Sequence, residues 1–226
     1  MKYLITGASG FLGGRLSVFL EEKGHEVLRG TRNIEIIQSS EIKSNWVLTD
    51  FDNIKQLMKI CEDVDLLIHA AGPNSEQSSL DSSSLKYYSE LRKNITKVAK
   101  DSRIKRIIYL STIHVYKNNL EGLITEKTSA MNNNPYSLYN LAGEKVITDT
   151  FGFNPNTALI LRLSNIFGYP INKKVNCWNL FMNNICKEIV QNKTITIKSN
   201  PRIKRDFLSV KSFCEIILKL SSFKFQ

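Results

Sequence analysis

Apolar positions along the chain fall into short continuous runs that alternate with longer segments whose apolar residues recur at helical spacing. The runs predict five strands in the first half, at Lys2–Thr6, Glu26–Arg29, Trp46–Leu48, Asp65–Ala70 and Ile104–Leu110. Between them, the spacing predicts a helix from Phe11 to Gly24 and further helices over residues 54–61 and 82–101. Apolar strands joined through helices are typical of a parallel sheet covered on both faces.

The alternation continues to about residue 168 and then changes. A helix at 135–150 and a sixth strand at 157–163 are followed by a helix at 178–190, a short strand at 194–197 and a helix at 210–220. The chain is therefore predicted to be an α/β protein, with a doubly wound parallel sheet and a smaller C-terminal lobe. Residues 75–84 are polar and serine-rich, and we interpret them as a loop.

Composition narrows the functional classes. The 226 residues are 42% hydrophobic and 23% charged, as in globular proteins, and no apolar run reaches the roughly 20 residues that a membrane span requires. We therefore expect no membrane partner. The formal net charge of +10 favours anionic ligands, but the basic residues are scattered, so nucleic acid is not the expected partner.

Cysteine usage and the N-terminal sequence bear on location. Cys61, Cys177, Cys186 and Cys214 lack the paired spacing of a metal site and stand in apolar or helical contexts, so we expect reduced core thiols and no metal. The N-terminus enters a strand directly, without an apolar leader. These features together predict a cytoplasmic protein.

Three glycines follow the first predicted strand, in Thr6-Gly7-Ala8-Ser9-Gly10-Phe11-Leu12-Gly13, and a predicted helix begins there. In such a turn Gly7 permits the tight bend, Gly10 lets the backbone approach a pyrophosphate, and Gly13 allows the helix to pack closely on the strand. The N-terminus of the helix then faces the negative charge. The segment predicts a Rossmann-like dinucleotide site, with Ser9, Phe11 and Leu12 as further contacts.

Thr31 and Arg32 stand at the end of the second strand, where an acidic residue would bind the adenosine ribose. A carboxylate would repel a 2′-phosphate, whereas Arg32, with Arg29 nearby, can pair with one. The sequence therefore predicts NADP as the preferred cofactor and NAD as the alternative. The competing interpretation of Arg32 is a solvated surface charge.

Further motifs follow in order along the chain: Asp50-Phe51, His69-Ala70-Ala71-Gly72, Asn94, Ser111-Thr112-Ile113-His114-Val115-Tyr116, Pro135-Tyr136, Arg162–Gly168 and Arg205–Val210. With these motifs the chain resembles, from Lys2 to about Leu220, the extended short-chain dehydrogenase/reductase family of NAD-dependent nucleotide-sugar epimerases, dehydratases and 4-ketoreductases. The resemblance implies an enzyme that acts on a nucleotide sugar by hydride transfer. It also implies a homodimer formed through the helix that carries Tyr136.

The resemblance implies roles for individual residues. Tyr136 matches the acid/base tyrosine, and Thr112 matches the residue that hydrogen bonds the same substrate oxygen. The implied cofactor contacts include Asp50, Phe51, Ala70, Ala71, Gly72, Asn94 and Tyr136. The implied substrate contacts are Pro73, Thr112, His114, Asn165 and Arg205. His69 is interpreted as a packed, hydrogen-bonded residue, and His114 as either a structural histidine or a substitute base.

One motif of the family is broken, because its lysine four residues after the tyrosine is missing. That cation lowers the pKa of the phenol and holds the nicotinamide ribose. Counting from Tyr136 gives Asn140, and counting from Tyr139 gives Gly143. We choose Tyr136, because Pro135 falls in register with it, and we place Asn140 in the catalytic and cofactor-binding set. Since an unperturbed tyrosine has a pKa of about 10, phenolate is scarce at neutral pH without a cation.

We predict an NAD(P)-binding domain at residues 1–168 and a substrate-side segment at 169–226 that is partly integrated with it. This segment is short for the family, so the lobe is expected to be either minimal or truncated. The missing lysine also fits an alternative, a catalytically impaired NADP-binding regulator or partner subunit of the same fold. A nucleic-acid-binding function rests on net charge alone.

Overall fold

A computed structural model describes residues 1–39, 45–73, 82–116, 122–197, 200 and 204–226. Its main sheet has six parallel strands: β1 Lys2–Thr6, β2 Glu26–Thr31, β3 Trp46–Leu48, β4 Leu66–His69, β5 Arg106–Thr112 and β6 Ala158–Leu163. The strand order is β3-β2-β1-β4-β5-β6. The predicted doubly wound parallel sheet is therefore confirmed, and the chain crosses over at β1 and β4, where such sheets bind ligands.

Seven α-helices are described: α1 Phe11–Glu22, α2 Ile34–Ser39, α3 Ile54–Cys61, α4 Ser82–Asp101, α5 Pro135–Phe151, α6 Phe181–Asn192 and α7 Val210–Ser222. A short 3₁₀ helix, Ile113–Val115, follows β5. Alternate residues of β1 point to opposite faces of the sheet. Tyr3 and Ile5 pack in one core with α1 and α7, whereas Leu4 packs in a second core with α3, α4 and α5. Both faces of the sheet are therefore covered.

Helix ends follow the sequence closely. Asn134 caps α5 by accepting a hydrogen bond from the Ser137 amide at 2.8 Å, and Pro135 occupies the first turn, where no N–H partner is needed. Gly152 ends the same helix at a φ of 68°. Because its start is fixed in this way, α5 presents Tyr136 in its first turn, at the carboxyl edge of the sheet.

The C-terminal part differs from the prediction in its strands. Residues 194–197 are exposed and form no strand, so the predicted strand there is wrong. Two short strands that were not predicted, β7 Asn165–Phe167 and β8 Phe207–Ser209, pair in parallel instead. Three-residue strands leave almost no pattern in a sequence, because pairing alone defines them.

The start of α6 and the packing of α7 add detail to the sequence prediction. Helix α6 begins at Phe181 and not at residue 178, and the Asn183 side chain in its first turn binds both the N–H and the carbonyl of Gly168. Helix α7 packs on α1 within the core that contains β1. The division at residue 168 stays a prediction, and α7 shares its core with the N-terminal half.

Cys61, Cys177 and Cys214 are buried free thiols as predicted, whereas Cys186 is exposed on α6, so its placement in the core is wrong. Burial raises the pKa of the Cys61 and Cys214 thiols to about 12. Within the described ranges, no helix is both long and apolar enough to cross a bilayer, and no group of three His, Cys, Asp or Glu residues is arranged to hold a metal. Most of the predicted loop at 75–84 lies outside the described residues.

Candidate functional site

A cleft of about 680 Å³ opens along the carboxyl edge of the sheet. Eleven of the residues predicted to bind cofactor or substrate line it: Phe11, Leu12, Ala70, Ala71, Gly72, Pro73, Thr112, His114, Tyr136, Asn140 and Asn165. They come from the turns that follow β1, β4 and β5, from the start of α5 and from β7. Parallel strands end at the same edge, which explains how residues far apart in sequence meet here.

The glycine turn after β1 fits a diphosphate. Gly7 has a φ of 73°, and a Cβ there would lie 2.9 Å from the backbone of Ala70 and Ala71. A Cβ on Gly13 would collide with the Gly7 carbonyl. Gly10 precedes α1 without any side-chain cap, so the N–H groups of the first turn are open to an anion. The backbone itself therefore forms the predicted cradle.

At the end of β2, Thr31 and Arg32 lie in different environments. Thr31 is buried and its hydroxyl donates to Ser9 Oγ at 3.5 Å, whereas Arg32 is exposed with its guanidinium 5.5 Å from the Tyr88 ring centroid. Arg29 was expected to assist Arg32 with a 2′-phosphate. It is buried in an ion pair with Glu21 at 2.5 Å, so that expectation is wrong.

The turn after β3 is held by Asn94. The Asn94 amide donates to the Phe51 carbonyl at 3.0 Å, and the Phe51 ring lies 5.8 Å from the His69 ring. Asp50 is exposed, and one of its carboxylate oxygens accepts a hydrogen bond from the Asp52 amide at 3.1 Å. Asn94 thus positions the loop, and the role of Asp50 as an adenine contact stays a prediction.

Tyr136 and Thr112 meet at the centre of the cleft. The Tyr136 side chain hydrogen bonds with the side chains of Thr112 and Asn140. Burial raises the pKa of the Tyr136 phenol, and these two hydrogen bonds offset part of that rise. The structure thus joins the two residues predicted to act on one substrate oxygen, and it leaves the phenol protonated at neutral pH.

Asn140 does not replace the missing cation. Its amide nitrogen donates to the Tyr136 carbonyl at 2.8 Å, and its amide oxygen accepts from the Tyr109 hydroxyl at 3.3 Å. Lys145, the nearest lysine on α5, is exposed and pairs with Asp149 at 2.9 Å. Among the described residues that line the cleft there is no lysine or arginine.

The two histidines differ. His69 is buried, and its Nδ1 lies 2.9 Å from the Thr6 hydroxyl, so the packed, hydrogen-bonded interpretation is confirmed. Burial, aided by the charges of Arg92 and Arg32, lowers the pKa of His69 to about 3. His114 lines the cleft 6.4 Å from the Tyr136 ring, and burial together with the Arg205 charge lowers its pKa as well. Both imidazoles are therefore neutral at pH 7.

The far wall of the cleft comes from the C-terminal part. Asn165 donates through its amide nitrogen to the Asp206 carbonyl at 2.9 Å, and its amide oxygen, which has no partner among the described residues, can accept from a ligand. The Phe181 and Phe207 rings stack at 5.9 Å and also line the cleft. Arg205 is exposed, with its guanidinium 5.7 Å from the Phe181 ring.

Sequence analysis missed several buried polar residues behind the cleft. Glu144 on α5 is held by Arg162 at 2.6 Å and accepts from the Ser111 hydroxyl at 2.5 Å. Arg92 on α4 is 1% exposed and lies against Tyr139. A signal for Arg92 was present, because it falls on the same helical face as the buried Ala99 and so occupies a core position.

Comparison with known proteins gives a consistent result. The model of the NAD dependent epimerase/dehydratase family matches residues 3–224. A Bacillus subtilis protein named uncharacterized UDP-glucose epimerase YtcB is 26% identical over 92% of this chain and 68% of its own length. The human dTDP-D-glucose 4,6-dehydratase is 23% identical over 75% of this chain.

The fold is shared with solved structures of similar proteins. UDP-glucuronic acid 4-epimerase from Bacillus cereus, in complex with UDP-glucuronic acid and NAD, superimposes with a TM-score of 0.77 at 22% identity. The match covers 100% of this chain and 74% of the epimerase. The match to the human dehydratase covers 53% of that protein, so the chain spans about half of its length.

Proposed function

Because this chain belongs to the NAD dependent epimerase/dehydratase family, we propose that it is an NAD(P)-dependent nucleotide-sugar epimerase, dehydratase or 4-ketoreductase. One observation carries the proposal. The uncapped N-terminus of α1 and the Tyr136–Thr112 pair border the same cleft. A dinucleotide whose diphosphate rests at Gly10 is therefore oriented toward the two groups able to handle a sugar hydroxyl.

The proposed roles follow from the contacts. A bound nicotinamide supplies hydride acceptance and donation. Tyr136 exchanges a proton with the sugar oxygen, and the Thr112 hydroxyl hydrogen bonds that oxygen and fixes its distance from the phenol. On the far wall, the amide oxygen of Asn165 binds a ligand donor, and exposed Arg205 pairs with the diphosphate of the sugar nucleotide. Pro73 and His114 complete the sugar-facing surface.

Cofactor preference rests on one residue. Ser9, Thr31, Asp50 and Phe51 are proposed to hold the adenosine half, with Arg32 pairing to a 2′-phosphate. With Arg29 engaged by Glu21, the preference for NADP over NAD depends on Arg32 alone. The solved epimerase above is a complex with NAD, so NAD is the alternative.

Assembly and location are also proposals. We infer a homodimer that uses the outer surface of α5, where Leu138 is 44% exposed. Light scattering during size-exclusion chromatography is expected to give twice the monomer mass. A mass equal to that of the monomer would contradict the inferred homodimer. A cytoplasmic location is retained from the sequence as a prediction.

The activity is tested with a substrate panel. Purified protein with NAD or NADP is incubated with UDP-, dTDP-, GDP- and CDP-linked sugars, and products are separated while nicotinamide absorbance at 340 nm is followed. We expect turnover or transient reduction with at least one of them. Inertness across the panel, in a sample that binds cofactor, would contradict the enzymatic function.

A second candidate is favoured by Asn140 alone. A family fold without a cation next to the tyrosine also suits an NADP-binding regulator or partner subunit. Asn140→Lys separates the two. A gain of two orders of magnitude or more in the turnover of this variant would indicate a binding protein that has lost its catalytic activity. Normal turnover by the wild-type protein itself would dismiss this candidate.

A further inference from the structure

Arg92 is a buried cation for which the described residues supply no counter-ion. Its side chain is 1% exposed, and its Nε and Nη2 atoms have no hydrogen-bond partner among those residues. The remaining nitrogen makes a long contact of 3.4 Å to the Tyr139 carbonyl. Within the described part of the chain, no carboxylate lies within 4.0 Å of the guanidinium. An unpaired buried charge is unfavourable, so its persistence here calls for a physical reason.

The guanidinium lies against the tyrosine helix. Its carbon is 4.2 Å from the Tyr139 ring centroid and 5.3 Å from that of Tyr109. It fills space that Gly143 leaves open, because a Cβ on Gly143 would be 2.8 Å from the guanidinium carbon. Gly143 stands one helical turn after Tyr139. The guanidinium therefore fills the buried side of α5 one helical turn after Tyr139.

A chain of contacts leads from this charge to the cleft, first from the guanidinium to the Tyr109 ring and then through hydrogen bonds. The Tyr109 hydroxyl, which crowds the same point beside Gly143, donates to the Asn140 oxygen at 3.3 Å. The Asn140 amide in turn hydrogen bonds the side chain of Tyr136. Arg92 thus contacts Tyr139 directly and Tyr136 through two intervening side chains.

We propose that Arg92, reaching in from α4, supplies the positive charge of this active centre in place of the lysine that α5 lacks. It acts as a positioning residue that favours the phenolate form of Tyr139 by contact and that of Tyr136 through Tyr109 and Asn140. Its catalytic meaning rests on the proposed function above. Its electrostatic effect does not.

The neighbouring titratable groups do not duplicate this charge. Those that lie around Arg92 and the two tyrosines are Tyr88 on α4, Arg32 after β2, His69 on β4, Tyr109 on β5, His114 after β5 and Glu144 on α5. His69 and His114 are neutral, Glu144 is neutralised by Arg162, and Arg32 is exposed to solvent that screens its charge. Burial raises the pKa of Tyr139, and the Arg92 charge opposes that rise.

The test is a spectroscopic titration of the protein without cofactor. Tyrosinate absorbance is followed against pH in the wild type, in Arg92→Met and in Arg92→Lys, with Tyr139→Phe and Tyr136→Phe assigning each step. We expect Arg92→Met to raise the Tyr139 midpoint by at least about one pH unit and the Tyr136 midpoint by less, and Arg92→Lys to stay near the wild type. Unchanged midpoints in folded Arg92→Met would overturn the proposal, as would equal shifts in both variants.

The control is a second buried arginine. Arg106 binds main-chain carbonyls of Asn156 and Phe223 at the opposite end of the sheet, so Arg106→Met removes a buried guanidinium without touching the tyrosines. It is expected to lower thermal stability and to leave both midpoints unchanged. Should Arg92→Met not fold, Arg92→Gln, which keeps hydrogen bonding without charge, takes its place in the same comparison.

Turnover supplies an independent arm. Arg92→Met is expected to lose at least tenfold in turnover with its acid/base limb displaced to higher pH, and Arg92→Met/Asn140→Lys is expected to regain most of that loss. If the tyrosine midpoints shift in Arg92→Met but the double variant regains no turnover, Arg92 has an electrostatic effect only. That result would overturn the proposed contribution of Arg92 to catalysis. A wild type inert with every sugar nucleotide would remove the proposed function, and the titration would still decide the role of Arg92.

Discussion

The glycine turn and the tyrosine helix border one cleft but are built in opposite ways. The turn after β1 is a backbone structure, in which Gly7 and Gly13 leave no room for a Cβ and the open N–H groups of α1 form the proposed binding surface. The start of α5 is a side-chain structure, in which Tyr136, Thr112, Asn140 and Tyr109 are joined by hydrogen bonds. Backbone sites tolerate few residue types, whereas side-chain sites can exchange one group for another from a different element.

This difference explains where the family pattern holds and where it breaks. The glycine segment is intact, because its geometry depends on three positions in a row of eight. The lysine is gone from α5, and a buried arginine on α4 stands behind the same tyrosines. A charge acts over several ångströms and does not need to come from one helix, so the chemical requirement can be met from a neighbouring one.

The largest expected effect belongs to the tyrosine side. Tyr136→Phe removes the proton that the sugar oxygen exchanges, and turnover is expected to fall by about 10²–10⁴-fold. Cofactor affinity, measured by calorimetry, should change little, because the glycine turn is untouched. Tyr169→Phe is the control, since Tyr169 is 63% exposed. Retained turnover in Tyr136→Phe would transfer the acid/base role to another residue.

The next effect belongs to the glycine side. Gly7→Ala introduces a Cβ 2.9 Å from the backbone of Ala70 and Ala71, so cofactor affinity is expected to fall by about 100-fold. Gly24→Ala is the matched control, because Gly24 has a similar φ of 79° with nothing within 4 Å of the added carbon. Equal losses in the two variants would show that backbone strain alone, and no close approach, requires glycine at position 7.

Much of the fold follows from the sequence, and the reason is visible in particular elements. Strand β4 is a continuous apolar run because both of its faces are buried, and α5 is bounded by Asn134 and Gly152. Both elements can therefore be predicted from the sequence. Strands β7 and β8 are defined only by their pairing with each other, and no local sequence pattern predicts them.

The sequence predicts the glycine turn and the tyrosine helix to different extents. Glycine spacing predicts the cradle, and the Tyr136 and Thr112 motifs predict the pair that the structure brings together. The Arg92 contact depends on how α4 and α5 pack, 47 residues apart in sequence, and spacing carries no such information. The engagement of Arg29 by Glu21 was missed for the same reason.

A smaller effect sharpens the comparison on the tyrosine side. Gly143→Ala places a Cβ against the Tyr109 hydroxyl and the Arg92 guanidinium, and it is expected to lower the free energy of unfolding by about 1–3 kcal/mol. Chemical denaturation measures this change. Gly14→Ala is the control in α1, where the nearest atom is at 3.2 Å, and it should stay within about 1 kcal/mol of the wild type. Stabilisation by Gly143→Ala would mean that the arginine does not occupy that space.

The smallest expected effect concerns cofactor choice. Arg32→Ala is expected to weaken NADP binding by about tenfold and to leave NAD binding nearly unchanged, because an exposed charge pair contributes about 1 kcal/mol. Arg103→Ala, which removes an exposed charge at the far edge of the sheet, should change neither affinity. Equal weakening of NAD and NADP would assign Arg32 to the adenine ring or to the fold.

The central claim, that a dinucleotide binds on the backbone of the glycine turn, is tested most directly by isothermal titration calorimetry of the folded wild type with NAD, NADH, NADP and NADPH. The account predicts a single-site isotherm with at least one of the four and its loss in Gly7→Ala but not in Gly24→Ala. Absence of heat with all four, in a sample whose circular dichroism shows the α/β fold, would contradict it.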